Sequence, residues 1–436
     1  MKRLIASLTT LILVAGCGSA APSSPGVPAI TPGTDGIALA AVSVPRLTTS
    51  GDDAAKAGAA VNAFGLDLYA KLVAADPSAN LVFSPASIEL ALAMARAGAR
   101  GTTATEMDAV MHALGTDANA GWVTALDQSL NNKTATFQDD MGHAQDVVLR
   151  SVNAPFAQRG FALEAPYLQA LGERFGAGLR LVDYINATEA ARKAINDWVN
   201  AQTEQRIPEL LGQGTLDDLT RLVLVNAIYL KAAWQTPFEE GATALAPFTR
   251  PDGSTVDVPM MHMGGELPYA TGTGWQAVEL PYVGGKLSML VIVPDDLAAF
   301  EKTLDGASLA AIVDGLATRH VSDLGLPKFG TESKVELKKV LSAMGMPTAF
   351  TDRADFSGIS TEEPLLIDAV IHQANIDVDE NGTEAAAATA VVARAASLPS
   401  DAVSLMVDHP FLFALRDKDT GAVLFLGRIT EPATRS

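Results

Sequence analysis

Apolar residues recur at helical spacing through the first third of the chain. Over 60–75 (AVNAFGLDLYAKLVAA) large apolar residues repeat three or four positions apart, which predicts an amphipathic helix. The next segment, 80–101 (NLVFSPASIELALAMARAGARG), is typical of a short strand, a Ser-Pro turn, and a helix that begins at Ser87 and ends at Gly98. The first third is therefore predicted to be mainly helical.

Strand patterns dominate the remainder. The predicted elements are a buried strand at 221–234, two strands joined by a Gly-Gly turn at 277–294, a helix at 334–346 that ends near Gly345, and a hairpin at 410–429. Neither a linker-like break nor an internal repeat interrupts 58–433. One large α+β domain is therefore predicted.

Composition narrows the possible functions. The 436 residues are 48% hydrophobic, enough for a large core, and the net charge of −19 argues against nucleic acid as a partner. With Cys17 as the one cysteine, the chain can have neither an internal disulfide framework nor a cysteine-based metal site.

The N-terminus has the plan of an export signal. Residues 1–16 combine a basic start with a short apolar stretch, and the ending Val-Ala-Gly before Cys17 resembles the lipobox of bacterial lipoproteins. That resemblance implies cleavage before Cys17 and a lipid on its thiol; the alternative is an ordinary signal peptide with an incidental cysteine. We expect an extracytoplasmic protein, either an envelope lipoprotein held to the membrane by this lipid or an extracellular form.

Residues 17–57 are rich in Ala, Ser, Pro, Gly and Thr. This composition predicts a disordered tether, because it offers few large apolar groups to bury. The folded domain is predicted to span 58–436.

Catalytic motifs are absent from the sequence. No two of the six histidines have the i, i+4 spacing of a helical zinc site, and neither a G-x-S-x-G elbow nor a phosphate-binding glycine loop occurs. We therefore expect no enzyme activity, metal or cofactor. A hydrolase remains an alternative only because a Ser/His/Asp triad can assemble from distant residues.

The segment 375–403 (NIDVDENGTEAAAATAVVARAASLPSDAV) is unusual in its small residues. It has no proline from Asn381 to Leu398, and every second residue from Thr383 to Ala393 is small or β-branched and uncharged. Glu384 and Arg394 fall on the opposite face. The pattern suits a strand that enters a sheet, although Asn381-Gly382 also favours a hairpin and the alanine run a helix.

Eight segments resemble the serpin family, in serpin order and at serpin-like separations. They are NLVFSPASI (80–88), GARGTTATEM (98–107), INDWVNAQTEQRI (195–207), LVNAIYLKAAWQTPFE (224–239), LPKFGTESKVELKKVLSAMGM (326–346), ADFSGIS (354–360), VIHQANIDVDENGTEAAAAT (370–389) and HPFLFALRDKDTGAVLFLGRI (409–429). The resemblance implies three β-sheets, eight or nine helices, and an exposed reactive loop at about 380–403. It also implies a metastable inhibitor that traps a serine protease as an acyl-enzyme when the cleaved loop inserts into the largest sheet.

The family's residue count from the hinge glutamate Glu380 puts the reactive bond between Ala396 and Ser397. A small residue before the bond suits elastase-like or subtilisin-like proteases, whose shallow pockets accept small side chains. The alternative bond, Arg394–Ala395, would attract a trypsin-like enzyme, but it shortens the inserting strand by two residues, roughly 7 Å. Cysteine proteases, which use similar acyl chemistry, are a further alternative.

The resemblance carries over two further sets of residues. The hinge is Glu380, Asn381, Gly382, Thr383, Glu384, Ala385, Ala386, Ala387 and Ala388. A polar cluster beneath the large sheet, with a tryptophan where the loop enters, corresponds to Ser84, Ser87, Asn226, His372 and Trp234. Each has a simpler alternative role, such as helix capping by Ser87 or core packing by Trp234.

The expected partner is a target serine protease, bound covalently by a monomeric inhibitor. The acidic segment 137–147 argues against heparin as a cofactor. A non-inhibitory serpin fold that acts as a binding module at the cell envelope is the alternative from another functional class; the hinge composition argues against it.

Overall fold

The computed structural model describes residues 28–33, 35–113, 119–140, 142–384 and 402–433. Its α-helices are α1 (Gly51–Ala75), α2 (Pro85–Arg96), α3 (Gly101–Val110), α4 (Asn119–Asn131), α5 (Ala165–Phe175), α6 (Tyr184–Gln202), α7 (Leu297–Glu301), α8 (Gly306–Asp314) and α9 (Lys338–Met344). Short 3₁₀ turns span Glu240–Ala242 and Thr348–Phe350.

The strands are β1 (Ala29–Pro32), β2 (Ala38–Ala41), β3 (Leu81–Phe83), β4 (Ala135–Gln138), β5 (Ala144–Gln158), β6 (Leu179–Val182), β7 (Leu222–Ala233), β8 (Ala244–Thr249), β9 (Thr255–Gly272), β10 (Trp275–Pro281), β11 (Leu287–Pro294), β12 (Ala317–Pro327), β13 (Phe329–Glu336), β14 (Ala369–Asp379), β15 (Gly382–Thr383), β16 (Val403–Met406), β17 (Phe411–Asp417) and β18 (Val423–Ile429). The α+β class is confirmed.

The described strands form two sheets. Sheet A has the order β1-β2-β6-β5-β7-β15-β14-β13, with β4 on β5, and sheet B has the order β16-β12-β9-β10-β11-β17-β18-β3, with β8 on β9. The expected third sheet is continuous with sheet B, because the 18-residue β9 pairs with β8, β10 and β12 along its length.

Helix α2 runs between the sheets, and all its residues from Pro85 to Ala95 are buried. Its N-cap is Ser84, whose side chain accepts a hydrogen bond from the Ser87 N–H, and Pro85 occupies the first turn. The predicted start at Ser87 is therefore wrong by one turn. As a consequence, the Ser87 hydroxyl is free to bond to sheet A.

The helix predicted over 334–346 is shorter than expected. Residues up to Glu336 continue β13, which pairs with β14 from Phe329 onward, and the helix begins at Lys338. Cross-strand pairing with β14 overrides the local helical pattern here. The predicted strands at 221–234 and 277–294 and the hairpin at 410–429 correspond to β7, β10–β11 and β17–β18.

Part of the segment expected to be a disordered tether forms regular structure instead. Strand β2 pairs antiparallel with β6 on one side and β1 on the other, Ile37 and Val42 are buried, and α1 begins already at Gly51. Arg46 forms an ion pair of 2.6 Å with Asp127 of α4. The prediction failed because small apolar residues can complete an existing sheet edge that the local composition does not reveal.

None of the helices in the described ranges is both long and apolar enough to cross a membrane.

We predict that the segment 35–50 stabilises the domain, whereas β1 contributes little. A chain that starts at residue 51 should have a free energy of unfolding lower by roughly 3 kcal/mol or more than one that starts at 28, because buried Val and Ile side chains are lost. A chain that starts at 35 is the matched control, since every residue of β1 is exposed. Denaturant unfolding of the three chains measures the difference, and equal stabilities for the chains starting at 35 and 51 would contradict the assignment.

Candidate functional site

The two central strands of sheet A, β7 and β14, pair directly with each other at one end and are separated at the other. Strands β7 and β14 pair in parallel over Val223–Ile228 and Ala369–Ala374. Beyond that point their direct pairing stops, and β15 lies between them, antiparallel to both. The two-residue β15 therefore occupies the start of the position of an additional central strand.

The chain enters this position through a tight turn after β14. The Asp379 carboxylate accepts hydrogen bonds from the N–H groups of Asn381 (2.8 Å) and Gly382 (3.2 Å). Val378 then pairs with Thr383 across the turn. The hairpin that Asn381-Gly382 favoured is thus formed, and it directs Gly382 and Thr383 back into sheet A.

Gly382 meets two requirements that other residues would not. Its φ is +153°, in the region that favours glycine, and a Cβ added there would lie 2.2 Å from the Ala232 carbonyl oxygen. Pairing with Ala233 of β7 brings the two backbones this close together. The hinge therefore requires glycine at this position for both backbone conformation and space.

Thr383 points into the interior, as the alternation in the sequence predicts. It is 2% exposed, and its hydroxyl lies 2.6 Å from the Tyr282 hydroxyl. The Tyr282 ring stacks on Trp234 at 4.5 Å between centroids, and Trp234 Nε1–H donates to the Asp379 carbonyl. Trp234 thus lies at the place where the loop enters the sheet while also packing in the core.

Two side chains bind the carboxylate of Glu380, which lies at the turn. Its carboxylate lies 2.6 Å from Lys328 Nζ and accepts a hydrogen bond of 2.6 Å from the Thr243 hydroxyl. Burial acts to raise the pKa of Glu380, but the contacts with Lys328 and Thr243 outweigh it and leave the pKa below its ordinary value. Its carbonyl oxygen also accepts from Phe238 N–H. The turn is therefore fixed by charge as well as by backbone hydrogen bonds.

In a continuous strand, Glu384 would lie on the face opposite to Thr383. Here its side chain is buried instead. Its φ is +49°, its side chain is 2% exposed, and its carboxylate lies 3.3 Å from Arg206. Burial, together with the charge of Glu384, raises the pKa of Tyr229 to about 12. In this structure the strand geometry stops at Thr383, and Glu384 turns away from it.

Four polar residues, which we call the lower polar cluster (Ser84, Ser87, Asn226, His372), lie where β7 and β14 are still paired. His372 and Asn226 are direct cross-strand partners, and His372 Nδ1 contacts Asn226 Oδ1. Nε2 accepts from the Ser84 N–H at 3.0 Å, so the ring is neutral with its proton on Nδ1. The Asn226 amide donates to the Ser87 hydroxyl at 2.7 Å. Helix α2 and both strands are thereby joined.

Sequence reasoning missed Asn153 of β5. It is the cross-strand partner of Asn226, and its amide lies 2.8 Å from the Ser87 hydroxyl. It extends the lower polar cluster to a third strand. Neither its spacing nor a motif distinguishes it in the sequence; a partly buried asparagine within a strand is the one available signal.

The remaining proposed site residues lie outside the described residues. They are Cys17, Ala385, Ala386, Ala387, Ala388, Arg394, Ala395, Ala396 and Ser397. Within the described part of the chain, no cluster of three or more His, Cys, Asp or Glu side chains could hold a metal ion.

Comparison with known proteins identifies the family. The family model described as Serpin (serine protease inhibitor) matches residues 59–432. An uncharacterised serpin-like protein of Thermococcus kodakarensis is 43% identical over 379 residues, which is 86% of this chain and 85% of that protein. The leukocyte elastase inhibitor of Bos taurus is 36% identical over 384 residues, covering 86% and 99% of the two chains.

A solved structure agrees with these relatives. A serpin described as highly specific in the insect Tenebrio molitor superposes with a TM-score of 0.75 at 31% identity, over 87% of this chain and 98% of that one. The chain therefore belongs to the serpin family, and the predicted family and fold are confirmed. Membership supports the role of a protease inhibitor and implies a target protease as partner.

We predict that His372 makes stability depend on pH. Burial lowers the pKa of His372 to about 3, while an unfolded histidine titrates near 6.5. Between these values the unfolded chain binds a proton that the folded chain does not, so stability is full above pH 6.5 and falls as the pH drops toward 3. The loss should reach about 1.4 kcal/mol per pH unit.

Denaturant unfolding at pH 5, 6 and 7 measures this loss, in a range where most carboxylates stay ionised. His372→Gln should be less stable at pH 7 and should lack part of the pH slope. His409→Gln, at a partly exposed position between β16 and β17, serves as the matched control and should keep the slope. An unchanged slope in His372→Gln would rule out the buried neutral imidazole.

Proposed function

We propose that this serpin is a suicide-substrate inhibitor of serine proteases of the elastase or subtilisin type. The observation that carries the proposal is β15, which places Gly382 and Thr383 between β7 and β14. The start of the reactive loop thus already lies in the position that a cleaved loop would extend into. Extension of β15 requires the β7–β14 pairs beyond it to separate.

The residues after Thr383 suit such an extension. The next inward positions of the alternation are Ala385, Ala387 and Thr389, all small enough to lie between sheet A and α2, and none of the residues up to Leu398 is proline. Glu384 would leave its buried position beside Arg206 and turn to the solvated face. Each ladder hydrogen bond gained replaces water contacts of an exposed loop, which favours the inserted state.

The proposed target class follows from the reactive bond. Ala396 before Ser397 presents a methyl group to the primary specificity pocket, which suits a shallow pocket better than one with a buried carboxylate. Relatives named leukocyte elastase inhibitors, from cattle and from humans at 33% identity, support this choice. Arg394 is the rival position, for a trypsin-like protease.

We further propose that the inhibitor acts outside the cytoplasm. The signal over 1–16 and the lipobox-like ending before Cys17 support a lipid anchor on a bacterial envelope. Because β1 of sheet A begins at Ala29, the segment between Cys17 and the domain is shorter than the composition suggested. At most about 43 Å of extended chain would join the lipid to sheet A.

Mixing the protein with pancreatic elastase, subtilisin and trypsin tests the proposal. We expect a denaturant-stable complex with elastase or subtilisin and a released C-terminal peptide whose mass begins at Ser397. Arg394→Ala is the matched control and should keep that complex. A peptide beginning at Ala395, together with a trypsin complex, would move the specificity to Arg394.

The same experiment separates an inhibitor from a binding module. An inhibitor should gain greatly in thermal stability when its loop is cleaved, because sheet A then acquires a complete central strand. Clean cleavage by every protease without a stable complex, and without a gain in melting temperature, would contradict inhibition and favour the non-inhibitory alternative.

We predict that Thr383→Arg converts the inhibitor into a substrate. Its side chain is buried between the strands, and a guanidinium placed there would lack a partner, so insertion would stop at its first step. The number of inhibitor molecules consumed per protease trapped should rise at least about tenfold. Thr383→Val, which keeps the shape and loses the bond to Tyr282, should still form the complex; equal behaviour of both variants would argue against burial at this position.

A further inference from the structure

Unusual backbone conformations concentrate in two segments, the turn after α6 and the end of β15. Glu204 and Gln205 in the turn have φ of +51° and +66°, and Glu384 after β15 has φ of +49°. Within the described ranges, His112 is the one other residue besides glycines with a positive φ. Side chains disfavour this conformation, and residues that adopt it tend to occur at sites where the surrounding structure enforces a functional geometry.

An ion pair joins these two segments. The guanidinium of Arg206, which directly follows the two strained residues of the turn, lies 3.3 Å from the Glu384 carboxylate. The pair is asymmetric, because the Arg206 side chain is half exposed whereas the Glu384 side chain is buried. The Tyr229 side chain on β7 also forms a hydrogen bond with Glu384. A buried carboxylate depends strongly on a cationic partner, since removal of the partner leaves its charge uncompensated.

The turn that carries Arg206 is fixed to the C-terminal end of α6. The Gln205 N–H donates to the Asn200 carbonyl at 2.8 Å, and the Arg206 N–H donates to the Thr203 carbonyl at 3.0 Å. The Thr203 hydroxyl in turn donates to the Val199 carbonyl at 2.9 Å. Arg206 is therefore presented from a defined backbone position.

Helix α6 is itself packed on sheet A. Its residues Ile195 and Val199 share a buried apolar cluster with Phe156 of β5 and with Val223 and Val225 of β7. Through Arg206, the end of β15 is thus tied to an element that is packed on the β5 and β7 side of sheet A.

Lengthening of β15 would break this ion pair. A residue in a β-strand has a φ near −120° to −140°, so Glu384 would have to change its φ by roughly 170° to continue the strand. A backbone rotation of that size carries the Glu384 carboxylate away from Arg206. The ion pair therefore belongs to the state in which β15 ends at Thr383.

We propose that Arg206 and Glu384 form a hinge latch, an ion pair that delays the lengthening of β15 until the reactive loop is cleaved. Arg206 is then a positioning residue for inhibition, because it acts through Glu384 and not on the reactive bond. The strained turn at Glu204 and Gln205 serves to place its guanidinium over the buried carboxylate. This inference rests on the proposed insertion mechanism and adds the contact that restrains insertion in the uncleaved inhibitor.

The rate at which the uncleaved chain converts to a heat-resistant, loop-inserted form tests the hinge latch without any protease. Arg206→Ala should convert about threefold to tenfold faster than the unsubstituted chain, because the buried Glu384 carboxylate loses its cationic partner. Arg206→Lys should restore most of the delay, since it keeps the positive charge. Adding Glu384→Gln to Arg206→Ala should also restore it, because a neutral amide needs no cation. Incubation at several temperatures, followed by heating and native gels, measures the heat-resistant fraction.

Arg150→Ala is the matched control. Arg150 is as exposed as Arg206 and lies 3.4 Å from Glu204 of the same turn, so its loss removes an equal charge nearby and leaves the Arg206–Glu384 pair in place. Its conversion rate should equal that of the unsubstituted chain. Equal acceleration by Arg150→Ala and Arg206→Ala would reduce the effect to local charge and overturn the proposal.

The loop-cleaved chain separates a latch from a merely structural contact. After cleavage, Arg206→Ala and the unsubstituted chain should have equal free energies of unfolding in denaturant, because the ion pair is broken in both. An equal loss of stability before and after cleavage would show that Arg206 only stabilises the turn, which overturns the proposal. If the unsubstituted chain inserts its loop but Arg206→Ala converts no faster, the latch alone fails. If the unsubstituted chain neither converts nor gains stability on cleavage, the insertion mechanism and the latch fail together.

Discussion

The incomplete pairing of β7 and β14 is the constraint on which the rest of the structure depends. Their strands are held together at one end by six parallel residue pairs and by the contact between Asn226 and a neutral His372, and are separated at the other end by Gly382 and Thr383. Because a buried imidazole without a charged partner stays neutral, this contact is a hydrogen bond and not an ion pair. Such a contact can break without leaving an unpaired buried charge.

The hinge combines four environments in five consecutive residues. Glu380 is fixed by Lys328 and Thr243, Gly382 approaches β7 more closely than any side chain would permit, and Thr383 is buried against Tyr282. Glu384 then leaves the strand with a positive φ and pairs with Arg206. Under the proposed insertion mechanism, Glu384 would be the first side chain to change its environment when β15 lengthens.

Much of the site could be predicted from the sequence because its requirements are local. A glycine at the pivot, the absence of proline and the alternation of small residues are visible in the chain order, and the structure places Gly382 and Thr383 accordingly. The ordered segment 35–50, the N-cap at Ser84, the strand at 334–336 and the role of Asn153 could not be predicted in this way. Each depends on a partner far away in the chain.

By itself, the sequence determined the α+β class and the alternation of the hinge, since these follow from residue type and spacing. Resemblance to serpins identified the family and predicted a reactive bond, which stays a prediction. The tertiary structure alone decided that Gly382 and Thr383 lie between β7 and β14, and that the Glu384 side chain lies beside Arg206. The physical reason is that burial, pairing and electrostatic environment belong to residues brought together from distant positions, and no periodicity within one segment encodes its partners.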